Sequence, residues 1–128
     1  MTQNVVWLNE VGISDIDKVG GKNASLGEMI GALGAKGVCV PGGFATTAGA
    51  FELFLSHSNL KEKINDLLRN LNTSNIEALT TTGAKIRQWV EESPFPEVLL
   101  LAIQDNYQTL VDKLGSEATF AVRSSATA

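Results

Sequence analysis

Apolar residues fall into short runs at the two ends of the chain and into helical stripes between them. Val5-Val6-Trp7-Leu8 is a brief apolar run and predicts a first strand. Ser14–Val19 is a polar connection to the pair Gly20-Gly21. From Lys22 to about Leu33, the positions Leu26, Met29, Ile30 and Leu33 recur at helical spacing. Gly34 and Gly37 then end that helix as C-terminal caps. Gly37–Thr47 predicts two short extended pieces around the turn Pro41-Gly42-Gly43. Thr47 caps a helix carrying Phe51, Phe54 and Leu55.

A second amphipathic stretch holds Ile64, Leu67, Leu68 and Leu71. Asn72-Thr73-Ser74-Asn75 breaks it and caps the next helix, whose stripe is Ile76, Leu79, Gly83, Ile86 and Val90. Pro94 and Pro96 punctuate, and a last helix runs from about Glu97 to Leu114. Leu99, Ala102, Ile103, Leu110 and Leu114 face inward on it, and Gly115 ends it. Thr119–Ser124 alternates as a strand, with Phe120 and Val122 on one face and Arg123 on the other. The predicted class is α+β: a small sheet from an early βαβ-like piece and a late strand, with a helical insert between them.

Composition narrows the function classes. The 128 residues suffice for one domain, and with 44% apolar and 19% charged residues they are too apolar for disorder. A net charge of −4 argues against a nucleic-acid partner, so any bound anion must be held by local geometry. Cys39 is the single cysteine, which excludes an internal disulfide and a zinc site built on several thiolates. Between Val38 and Val40 it reads as a small buried hydrophobe in a strand. No apolar run approaches a membrane span and no signal peptide heads the chain, which makes the cytosol the default and a membrane partner unexpected.

The candidate chemistry lies at the two ends. Gly20-Gly21-Lys22-Asn23 opens a helix, where a glycine pair lets backbone approach an anion and the helix start offers unpaired amides. The spacing fits neither a P-loop nor a dinucleotide fingerprint. On spacing alone Lys22 is either a solvated loop lysine or a phosphate ligand. Arg123 sits beside Phe120, Ala121 and Val122, and two readings stand for it: a buried ion pair with one of the 14 acids, or a bidentate phosphate ligand. Ser124, Ser125 and Thr127 either donate to phosphate oxygens or shape the turn. His57 reads as a surface residue at a helix C-terminus, with no cysteine, serine-elbow or carboxylate constellation near it in sequence. Asp15, Asp17, Glu28, Glu91 and Glu92 show no metal-ligand spacing.

Three blocks taken together carry a resemblance: Val19–Met29 (with Gly20-Gly21-Lys22-Asn23-Ala24-Ser25-Leu26), Val40–Thr47, and Phe120–Ala128. In this order and at these separations they resemble the phosphoenolpyruvate synthases, at the start of their ATP-binding domain, within the wider pyruvate, phosphate dikinase group. The resemblance implies an N-terminal subdomain of an ATP-grasp-like nucleotide-binding domain over residues 1–128. It assigns Lys22 and Arg123 to the ATP phosphates, with Gly20, Gly21, Ser124 and Ser125 as further candidates.

The implied reaction converts ATP, pyruvate and water to phosphoenolpyruvate, AMP and phosphate through a phosphohistidine, with magnesium. The chain lacks the family's Thr-x-Gly-Gly-x-x-Ser/Cys-His-type motif, and His57 does not match it. The phosphohistidine domain, the magnesium ligands and the pyruvate barrel are therefore expected outside these residues. The chain reads as a piece of a longer enzyme, with ATP as its own partner, pyruvate met only through the absent domains, no catalytic residue and no metal ligand. Oligomeric state stays open, a homo-oligomer of the full-length protein included. A dikinase-group enzyme acting on a drug or a glucan, and a non-catalytic nucleotide-binding module, are the competing classes.

Overall fold

In the computed structural model, which describes residues 3–128, Val5–Trp7 (β1) pairs antiparallel with Phe44–Thr46 (β2). Val5 lies opposite Thr46, Val6 opposite Ala45 and Trp7 opposite Phe44. This is the sheet among the described residues, and it corrects two expectations. The early piece is an antiparallel pair and not a βαβ unit. Thr119–Ser124 forms no strand, because its backbone makes no ladder bond among the described residues. Alternation marks a segment able to pair, but only a neighbouring edge makes it a strand. Val38-Cys39-Val40 is likewise no strand, and Cys39 is exposed and not buried.

By chain contacts the molecule divides into a unit of residues up to Phe51 with Glu97–Ala128, and a second unit, Glu52–Pro96. The first contains α1 (Ile16–Val19), α2 (Gly21–Gly34), the start of α3 (Ala48–Ser56), the sheet and, from its later part, α6 (Glu97–Leu114). Its core gathers Val6, Leu8, Val11, Val19, Ala24 and Ala45, with Leu26 and Ile30 packed at the margin. The buried face of α2 is thus Ala24 and Gly27, while Met29, predicted for the inner stripe, is 40% exposed. Gly27 explains the shift. A Cβ there would overlap the Val11 carbonyl and come 2.7 Å from the Leu8 carbonyl oxygen. Small residues let the Leu8–Val11 backbone lie directly on the helix.

Local signals behave as the sequence predicts. Gly37 has φ 81°, and the amides of Gly37 and Val38 donate to the carbonyls of Gly34 and Leu33, closing α2 in the glycine-dependent manner. Thr47 Oγ accepts the Ala50 amide at 3.1 Å and donates to the Gln3 carbonyl at 2.7 Å, capping α3 from a buried position. α6 spans the predicted range, with Leu99 and Leu110 buried and Gly115 at φ 92° beyond its end, but Leu114 is 58% exposed. Trp7 ties α6 to β1: its Nε1–H donates to Asn106 Oδ1 at 3.0 Å, and Lys113 Nζ lies 4.4 Å from the ring centre.

The second unit contains α4 (Leu60–Arg69) and α5 (Ile76–Glu92). Asn75 Oδ1 accepts the Ala78 amide and caps α5 as predicted. The α5 stripe is exposed at Ile76 (77%) and Leu79 and half-buried at Gly83, Ile86 and Val90. Lys63 and Lys85 place their ammonium groups 4.9 Å and 5.3 Å from the Trp89 ring centre. His57 is exposed in a 3-10 turn, Ser-His-Ser in a surface setting.

Candidate functional site

Gly20 joins α1 to α2 with φ 83° and ψ 162°, a conformation that glycine alone adopts readily. Its amide closes α1 on the Ile16 carbonyl, and its own carbonyl accepts the Ala24 amide as the first bond of α2. A Cβ at Gly20 would overlap the Ser125 side chain and stand 2.7 Å from the Ser125 carbonyl carbon. The terminal segment therefore passes directly over the glycine pair.

Two hydrogen bonds hold that segment in place. The Gly21 amide donates to the Ala126 carbonyl at 2.9 Å, and the Asn23 amide donates to Ser125 Oγ at 3.3 Å. Asn23 Nδ2 donates in turn to the Val19 carbonyl at 3.0 Å. The start of a helix leaves amides without helical partners, and here the chain's own hydroxyl and carbonyl take two of them. The expectation of free amides for an incoming anion is corrected accordingly for Gly21 and Asn23. Ser125 Oγ thus meets the start of α2.

Beside this junction lies an open depression of about 390 Å³, lined by Gly21, Lys22, Asn23, Ser25, Leu26, Met29 and Arg123. The two cations singled out from opposite ends of the sequence thus meet at one surface. Both are exposed. The ion pairs among the described residues are Lys61–Glu52 and Arg69–Asp66, so the buried ion pair considered for Arg123 is not formed. Leu26 and Met29 add apolar surface to a lining that also carries the two cations. Ser124 and Thr127 are exposed and do not line it.

Magnesium does not fit these residues. The lining has no carboxylate, which a magnesium site needs beside phosphate oxygens. Asp15 Oδ2 accepts the Gly12 amide at 2.9 Å and Glu28 Oε2 accepts the Ile13 amide at 3.0 Å, so both acids secure the loop that α2 packs against. A larger depression of about 620 Å³ is lined by Gln3, Ser14, Asp15, Asp17, Lys18, Thr47 and Gly49. Sequence reasoning missed it, but its two acids outnumber its lysine and give a polyanion no net attraction.

The chain that carries this depression has relatives among known proteins. Residues 16–128 match the family described as pyruvate phosphate dikinase, AMP/ATP-binding domain, and the chain belongs to that family. It is 48% identical over 125 residues to the phosphoenolpyruvate synthase of Neisseria meningitidis serogroup B, covering 97% of this chain and 16% of that protein. It is 49% identical over 124 residues to that of Escherichia coli K12, with 97% and 16% covered. The Pseudomonas aeruginosa synthase is 49% identical over 128 residues, 100% of this chain and 16% of the relative. The chain thus spans about one-sixth of the length of the curated relatives it matches, 16% in each of these three.

Proposed function

We propose that this chain is the N-terminal part of the ATP-binding domain of a phosphoenolpyruvate synthase, of ATP-grasp-like fold, and that Lys22 and Arg123 hold the polyphosphate of ATP. The full-length enzyme converts ATP, pyruvate and water to phosphoenolpyruvate, AMP and phosphate through a phosphohistidine carried elsewhere in the protein. Its magnesium ligands lie outside these residues, and its setting is the cytosol. No helix among the described residues is long and apolar enough to cross a membrane, which is compatible with that setting.

The observation that supports this reading best is the convergence of Lys22 and Arg123 on one depression at the start of α2. Phosphoryl transfer depends chiefly on positioning and on charge stabilisation, so it calls for fixed cations at the phosphates. One cation about 4 Å from an oxyanion contributes roughly 4 kcal/mol at an effective dielectric near 20, before desolvation. Arginine adds a planar fork that a lysine cannot reproduce. The apolar lining at Leu26 and Met29 suits the uncharged part of a nucleotide.

The two half-reactions of the full-length enzyme separate the alternatives. Lys22→Ala and Arg123→Ala each lower phosphohistidine formation from ATP by about tenfold to a thousandfold, the range of single electrostatic stabilisers. Arg123→Lys does not restore it. The reverse half-reaction, from phosphoenolpyruvate to the histidine, uses another site and stays near its normal rate. Equal damage to both halves would show that these residues support the fold and not the nucleotide.

A further inference from the structure

The segment that carries Arg123 has little to hold it. Thr119–Arg123 makes no backbone hydrogen bond among the described residues, and Val122 is 97% exposed. On one side of Arg123 the tilted contact of the Phe120 ring with Tyr107, ring centres 5.5 Å apart, holds the chain. On the other side the hydrogen bonds that fix it among the described residues run from the Asn23 amide to Ser125 and from the Gly21 amide to Ala126.

We infer that Ser125 is a positioning residue for Arg123: its hydroxyl, by accepting the Asn23 amide, clips the terminal segment to the first turn of α2 and so sets the guanidinium over the depression that Lys22 also lines. The inference rests on the polyphosphate reading of those two cations and adds a residue that acts through one of them. Gly20 belongs to the same device, since any side chain there would displace Ser125. The clip also uses the Gly21 and Asn23 amides, which moves the task of holding a polyanion from the helix start to side chains. Binding then depends closely on where the Arg123 fork sits, because bidentate contacts are sharply directional.

A double-mutant cycle on ATP affinity, measured by titration calorimetry in the full-length protein, tests this. Ser125→Ala weakens ATP binding about three- to tenfold, the scale of one hydrogen bond, and Ser125→Thr, which keeps the hydroxyl, returns it to within about twofold. In an Arg123→Ala background the same Ser125→Ala change adds less than about twofold, because the residue it positions is gone. Full multiplication of the two effects would overturn the inference, since Ser125 would then contact phosphate itself or act by general destabilisation. If Arg123→Ala alone left ATP affinity unchanged, the polyphosphate reading would fall, whatever Ser125 does. Should Ser125→Ala not fold, Ser125→Cys, with its weak acceptor, takes its place in the cycle with the same expected pattern.

Discussion

The two segments that build the candidate site are ordered by different means. α2 is fixed from within, by its own hydrogen bonds, by a glycine-dependent close, and by Ala24 and Gly27 pressed against the Leu8–Val11 backbone. The terminal segment Thr119–Ala128 has no regular structure and exposes almost every side chain. It borrows its position from α2 through Ser125 and Ala126, and from α6 through the Phe120–Tyr107 contact. One cation of the site therefore stands on a rigid element and the other on a tethered one. A site assembled this way is more easily disturbed through the tether than through the helix's own residues on the surface.

The comparison can be broken most sharply at Gly27. Gly27→Val sets a branched side chain against two backbone carbonyls that cannot move aside, and it destabilises the first unit by about 3 kcal/mol or more. A thermal melt coinciding with that of the parent would mean that α2 does not lie this close to the Leu8–Val11 loop. On the tethered side the effects are smaller. Phe120→Ala removes a tilted aromatic pair at a partly exposed position and lowers stability by about 1 kcal/mol. Denaturant unfolding would show it as a shift in midpoint at constant slope, and a loss like that at Gly27 would place Phe120 in a core it does not enter. Val122→Ala is the smallest change, within about 0.5 kcal/mol of the parent by the same measurement, since Val122 has no packing to lose. A cost well above that would show that this segment is paired in solution, as its alternating pattern predicted.

Legibility followed the same division. The ends of α6 were readable from Pro96 and Gly115, the caps of α3 and α5 from Thr47 and Asn75, and the close of α2 from Gly37. Each signal acts within one turn of itself. The buried face of α2 was not readable from its large apolar residues, although the small pair Ala24 and Gly27 carried the clue. Cys39 was misjudged because flanking valines indicate strand preference, while burial requires something to cover them. At the site, Lys22 and Arg123 could be singled out by residue type and motif, and they line one depression. That Ser125 and Ala126 would take the Gly21 and Asn23 amides could not be foreseen, since no local pattern links residues so far apart in sequence.

By itself the sequence determined the helices from α2 to α6, the caps of α3 and α5, the family and the residue types available for holding an anion. These follow from backbone preferences and short-range hydrogen bonds, which a few neighbouring residues settle. Ser14–Val19, read as a polar connection, contains the short helix α1. Tertiary structure alone decided the antiparallel pairing of Val5–Trp7 with Phe44–Thr46, the unpaired state of Thr119–Ser124 among the described residues, and the joining of the two ends at Gly20. Pairing and burial are properties of two surfaces in contact, so a segment's own pattern states only what it is able to do. Which partner it meets is decided by the fold.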